Sequence, residues 1–211
     1  MYLSDRELRE AIDNRTLIVD PVGEIGPSSI DIHLDDIEQA QVWDMEKIRE
    51  HNRDHGLNER ELRVSRIQYG NISKLYLKPP PHEPEANDDD KVFRRDREIV
   101  LRPFGFVLWQ TKEVIGTPLE YPKFICFIDG KSTRARTGLI VHLTAPTIHA
   151  GWNGHVTLEM VNMGPFDIVL PQGDAIAQVT VARLTSCPEL SQEDIQSATL
   201  GQEQVTGRPT Q

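Results

Sequence analysis

Two cysteines in 211 residues, Cys126 and Cys187, are too few for a disulfide framework. Cys126 lies in Phe124-Ile125-Cys126-Phe127-Ile128, the setting of a buried free thiol. Positive charge is in deficit. The 23 Lys and Arg residues against 33 Asp and Glu leave a net charge of −10, which disfavours a general nucleic-acid binder with its broad basic face. An anionic nucleotide is still compatible, because it needs only a local cluster of cations, often with Mg²⁺. No run of eighteen apolar residues occurs, so no membrane-spanning helix is expected. No basic segment followed by an apolar one opens the chain, and the expected location is cytoplasmic. The length suits one hydrophobic core and would cramp two domains.

Several catalytic signatures are also missing. Gly130-Lys131-Ser132-Thr133 resembles the end of a phosphate-binding P-loop, but the Gly required five residues earlier is Ile125. The His-x-Glu and Pro-Cys-x-x-Cys pair of zinc deaminases does not occur. His142, His149 and His155 have no Cys or Asp at ligand spacing, so no zinc is expected. Ser132 has no evident base and no Gly-x-Ser-x-Gly elbow.

What is present begins with a capped helix. Ser4 and Glu7 have capping-box spacing, Leu3 and Leu8 can staple across the cap, and the helix should end near Asn14. Ile30, Ile32 and Leu34 alternate with Asp31 and His33 as in a half-buried strand. Residues 44–66 are charge-dense and partly helical, with Met45, Ile48 and Leu57 as sparse anchors; residues 79–90 read as an exposed, disorder-prone loop. From Ile99 onward short apolar runs recur at 99–101, 105–110, 124–128, 139–143, 155–161, 166–170 and 175–181, separated by Gly and Pro. This texture predicts a mainly β domain, a sandwich or barrel, behind a short N-terminal helix. The expected organisation is a single domain over 1–211, elaborated over about 40–95, with a polar tail from 185 to 211.

The richest stretch is Gly130–Glu159. Lys131, Arg134 and Arg136 with the hydroxyls of Ser132 and Thr133 suit a phosphate group; a solvated basic turn would look the same. Glu159 is a carboxylate on an otherwise apolar strand, sharing a face with His155, Thr157 and Val161. A rim strand meeting solvent is one reading. A general base held beside Arg136, whose charge would favour the ionised form, is the other. Trp152 after Gly151 suits stacking on a sugar or base and equally suits a core anchor.

Read as one string, this stretch resembles the signature of dCTP deaminases, a branch of the trimeric dUTPase-like superfamily. The matching segments are Gly130-Lys131-Ser132-Thr133-Arg134-Ala135-Arg136, His142-Leu143-Thr144-Ala145, Gly151-Trp152-Asn153-Gly154 and Thr157-Leu158-Glu159. Leu3-Ser4-Asp5, Ser29–Leu34, Gly173–Gln178 and Gly201-Gln202 extend the likeness, and residues 38–95 lie outside it. The resemblance implies a distorted β-barrel or jelly-roll subunit of the dUTPase-like type in a homotrimer, with active sites between subunits. It implies hydrolytic deamination of dCTP to dUTP and ammonia, with Mg²⁺ carried on the triphosphate, no zinc, and dTTP as a feedback inhibitor. Glu159 matches the catalytic carboxylate. Ser132, Arg136 and the Ala145 carbonyl match the groups that position it and the water. Lys131 to Arg136, with Thr133, Arg134 and Ala135, match the phosphate loop. His149, Trp152, Thr157, Leu158, Gln178 and Gln202 match nucleotide contacts.

Three departures shape the expectations. His149 stands where dUTPases carry Asp, which argues for a reaction that stops at dUTP rather than a bifunctional enzyme giving dUMP. No Tyr follows Tyr121 and no Lys follows Lys131, which weakens a tail-borne lid and keeps a non-catalytic nucleotide sensor open. The segment 38–95 has no counterpart in the signature.

Overall fold

Ser4 starts the first helix as its capping box predicts. In the computed structural model, which describes residues 1–62, 76–87 and 90–189, α1 spans Asp5–Asp13. The backbone N–H and hydroxyl of Ser4 donate to Glu7 Oε2 at 3.0 and 3.1 Å. These bonds hold the Glu7 carboxyl below the usual carboxylate range. Leu3 and Leu8 are buried in the core, and the Asn14 N–H closes the helix on the Glu10 carbonyl at 3.0 Å.

Two four-stranded sheets form the body. The first has the order β1-β7-β11-β9, from β1 (Ile18–Asp20), β7 (Phe106–Gly116), β11 (Asn153–Asn162) and β9 (Leu139–Ile140). The second has the order β10-β8-β13-β2, from β10 (Thr147–Ile148), β8 (Phe124–Gly130), β13 (Ala175–Arg183) and β2 (Ile30–His33). Alternating residues from both fill one core: Trp109, Leu158 and Met160 from the first, Ile32, Ile128 and Val179 from the second. A third sheet joins β5 (Val92–Arg95), β6 (Glu98–Leu101) and β12 (Ile168–Pro171) in the order β12-β6-β5. The mainly β expectation holds. Among the described residues the sheets stay separate rather than closing into a barrel, which fits the jelly-roll form of the expectation.

The strand expected over 139–143 contracts to Leu139–Ile140, because the chain bends at Val141 and the His142 ring then turns onto the Ala145 carbonyl. The charge-dense segment contains α2 (Met45–Asp54), with Ile48 and Asn52 buried. Asn52 Nδ2 ties the helix to the chain beyond its C-terminus, donating to the Asn58 and Glu61 carbonyls at 2.9 Å each. Ile48 is the anchor expected there. Met45 is exposed, so its side chain does not help dock the helix. A two-stranded ribbon of β3 (Val42–Trp43) and β4 (Leu77–Lys78) flanks α2. The segment expected as a loose loop is pinned within its described part: a 3₁₀ turn covers Glu83–Glu85, and Arg95 bonds Glu83 at 2.6 Å. The remaining parts of these expectations, at residues 63–75, 88–89 and 190–211, lie outside the described residues.

Candidate active site

β11 alternates strictly. Gly154, Val156, Leu158, Met160 and Asn162 are buried, while His155, Thr157, Glu159 and Val161 are half-exposed. The shared face expected for Glu159 and Thr157 is therefore present, and a carboxylate meets solvent on it with the side chain 30% exposed. Leu158 points the other way and is fully buried in the core; only its backbone is available to a nucleotide. Opposite Glu159 and Thr157 on β7 lie Leu108 and Gln110.

On the other edge of β11, β9 pairs Ile140 with Val161 and Leu139 with Asn162. Continuing that antiparallel register by two residues on each side places His142, not Arg136, beside Glu159. His142 Nδ1 is 2.6 Å from Glu159 Oε2. The two atoms meet as a charge contact, off the alignment of a directional hydrogen bond. His142 Nε2 lies 2.8 Å from the Ala145 carbonyl oxygen, which accepts. Burial opposes the charged imidazole and is the largest single influence on it, but the contacts with Glu159 and Ala145 together outweigh burial and raise its pKa. The pair therefore stabilises the fold fully below the ordinary imidazole value of 6.5, and that contribution is lost as pH rises through the raised folded-state value. Urea midpoints should accordingly fall between mildly acidic and alkaline pH in the wild type, and less steeply in His142→Gln.

Arg136 does not reach Glu159 within the chain. It caps the one-turn helix α3 (Ser132–Ala135), is exposed, and its guanidinium makes no ion pair among the described residues. The structural reason is the turn after it. Gly138 has φ +93°, and a Cβ there would lie 2.3 Å from the Gly164 N; this close approach seats the turn against the end of β11, away from Glu159. Gly138→Ala should destabilise the protein by about 1–3 kcal/mol, read from the urea midpoint.

The remaining loop cations are already paired. Lys131 meets Asp31 on β2, and Arg134 forks onto Asp174 at 2.5 and 2.7 Å. The loop expected to carry three free cations thus presents one, Arg136, beside the exposed side chains of Ser132, Thr133 and Ala135. The N–H groups of Ser132 and Thr133 stand at the start of the helix, where intrahelical acceptors are lacking. A triphosphate must compete with Asp31 and Asp174 for the other two cations. Asp174→Asn should therefore lower the KM for a triphosphate substrate by about two- to fivefold, in keeping with the ~1 kcal/mol or less of an exposed ion pair, and the gain should shrink with added salt.

The other expected contacts are dispersed over the surrounding elements. Ala145 is exposed, with its carbonyl on His142. His149 is exposed in the turn between β10 and β11, where its carbonyl accepts from the Trp152 N–H at 3.2 Å. Trp152 packs partly buried against the core. Gln178 lies on β13, its Oε1 accepting from the Ser29 hydroxyl at 3.2 Å. Gln202 lies outside the described residues. The structure thus brings together Glu159, His142 and Ala145, and no side chain of the 130–136 loop bonds to them among the described residues. His142 was missed as a partner of Glu159. The signal for it was register, which requires knowing that β9 and β11 pair. Cys126, by contrast, is a buried thiol whose pKa burial pushes up to about 12, so it is inert at neutral pH.

The sequence pattern of the dCTP deaminase-like family matches residues 2–184. A relative from Streptomyces coelicolor named "dCTP deaminase, dUMP-forming" is 33% identical over 192 residues, covering 90% of this chain and 83% of its own. A "dCTP deaminase" from Natronomonas pharaonis is 29% identical over 195 residues, covering 90% and 84%. Among solved structures, 2'-deoxycytidine 5'-triphosphate deaminase from Agrobacterium tumefaciens superposes with a TM-score of 0.53 at 16% identity; 87% of this chain matches 47% of that one, about half its length. This likeness shows the fold. The dUMP-forming relatives overturn the expectation, drawn from His149, that the reaction stops at dUTP. The physical reason lies in the turn: the His149 side chain is exposed and outside the sheets, so one substitution there constrains the chemistry less than similarity along the whole chain. By the extent of these matches, this chain belongs to the dCTP deaminase-like family.

Proposed function

We propose that the protein converts dCTP to dUMP, with release of ammonia and pyrophosphate. The observation that carries the deamination half is Glu159: one carboxylate, half-exposed on the strand face it shares with His155, Thr157 and Val161, with a backbone carbonyl linked to it through one imidazole. Without a metal-activated hydroxide, water needs a positioned base and donors or acceptors that hold the tetrahedral intermediate. Glu159 takes a proton from water as the oxygen bonds to C4 of the cytosine, and passes it to N3. The second proton, from the new hydroxyl, moves to the amino group; the C4–N bond breaks, ammonia leaves and the C4 carbonyl forms. Ser132, Arg136 and the Ala145 carbonyl position water and carboxylate. Lys131–Arg136 hold the phosphates, and His149, Trp152, Thr157, the Leu158 backbone, Gln178 and Gln202 contact the nucleoside. Mg²⁺ enters as part of the substrate, on the triphosphate. The naming of the relatives supports the second half, hydrolysis of dUTP to dUMP and pyrophosphate.

The deciding experiment is chromatography of the products from dCTP with and without Mg²⁺. Ammonia, dUMP and pyrophosphate in equal amounts are expected. Accumulation of dUTP without dUMP would remove the second half; no ammonia would remove the whole reading.

The reading includes one domain over 1–211 elaborated over about 40–95, a C-terminal lid over 185–211, a homotrimer with intersubunit sites, dTTP as an inhibitor and a cytoplasmic location. Two observations support the trimer. Arg136 does not reach Glu159 in its own chain. Phe104, Met163 and Phe166 are 73%, 55% and 71% exposed around the buried Asn162, whose Nδ2 donates to the Leu101 and Phe166 carbonyls at 2.7 and 2.6 Å. Large apolar side chains exposed to solvent around one buried residue suit an interface. Mixing inactive Glu159→Gln and Arg136→Ala subunits, unfolded and refolded together, should recover part of the activity; none would place both residues of each site in one chain.

A further inference from the structure

The imidazole of His142 touches two of the groups on which the proposed deamination depends, Glu159 and the Ala145 carbonyl. Its ring is nearly closed to solvent, at 6% exposure, and the arrangement limits its protonation state. A carbonyl oxygen only accepts, so Nε2, 2.8 Å from Ala145 O, carries a hydrogen. A neutral ring would then leave a bare Nδ1 2.6 Å from Glu159 Oε2. Two electron-rich atoms that close, with no hydrogen on either, repel. Both atoms are buried and neither has another hydrogen-bond partner among the described residues, so nothing else there relieves the contact. The pair is consistent with one added proton, and the raised imidazole pKa agrees.

We propose that His142 is a positioning residue for Glu159: as an imidazolium it supplies the positive charge beside the carboxylate and ties it to the Ala145 carbonyl in one fixed geometry. This rests on the reading of Glu159 as the base. The charged group facing His142 is Glu159, from β11; the Ala145 carbonyl comes from the loop that follows His142 itself. The arrangement also explains why β9 is so short. The chain must leave the sheet after Ile140 for His142 to turn its second nitrogen back onto Ala145.

Two measurements test it. In the first, His142→Gln should lower kcat for ammonia release by about 10²-fold or less, the cost of a misplaced catalytic group, with KM changed far less. The wild-type pH profile should be bell-shaped, because a coupled pair works in its singly protonated form, and His142→Gln should lose the alkaline limb. An unchanged kcat and an unchanged alkaline limb would overturn the proposal. The second needs no activity: the imidazole NMR titration of His142 in wild type and in Glu159→Gln. The midpoint should fall in the variant, because its charged partner is gone. Identical midpoints would overturn the proposal even if His142→Gln failed to fold. A shifted midpoint in a protein that releases no ammonia from dCTP would instead uphold the dyad and reject the assigned reaction.

Discussion

Glu159→Gln should reduce ammonia release from dCTP by about 10²–10⁴-fold, the range in which general acid–base groups contribute. The change is nearly isosteric and its side chain is half-exposed at the sheet surface, so the fold should survive. Nucleotide affinity should change little, because no cation of the 130–136 loop is paired with Glu159 among the described residues. The amide can neither take the proton from water nor return it to N3, so the loss should fall on kcat and leave KM nearly unchanged. Single-turnover ammonia assays with equilibrium dialysis of dCTP would separate the two. A variant that turns over at the wild-type rate would remove Glu159 from the mechanism.

Trp109→Ala should be the most damaging substitution to the fold, costing about 3–5 kcal/mol from the lost aromatic volume. Trp109 is fully buried, faces Leu158 across the β7–β11 ladder, and donates from Nε1 to the Asp36 carbonyl at 3.0 Å. That bond fastens the segment after β2 to the centre of the first sheet. Trp109→Phe keeps most of the ring and drops the donor, so it should cost less, with ~1 kcal/mol from the hydrogen bond and the rest from lost volume. Urea unfolding of both variants checks the ranking; Trp109→Phe as damaging as Trp109→Ala would assign the site to the hydrogen bond rather than to packing.

Local grammar made much of the fold readable. The capping box of Ser4 and Glu7 and the staple of Leu3 and Leu8 act within a few residues, and α1 follows them. The period-two alternation over 155–161 showed which face Glu159 occupies, and β11 keeps that pattern over its full length. The charged segment was harder. Asn52 looks like a surface residue of a polar helix, yet its amide is buried and bonds two carbonyls beyond the helix end; such a role depends on where the chain returns.

The residues at 130–136 show the same boundary at the site. Their sequence identifies a loop of three cations, but composition is silent on what those cations already hold. Asp31 and Asp174 are far from the loop in sequence and close to it only because β2 and β13 are neighbours in the second sheet. By itself, the sequence determined the family signature, the alternating strands, the helix start and Glu159 as the lone acid on its face, since each is written in adjacent or periodic residues. Tertiary structure decided which cation meets Glu159. That choice follows from the pairing of β9 with β11, where inter-strand register brings His142 to the carboxylate and the tight Gly138 turn carries Arg136 away from it.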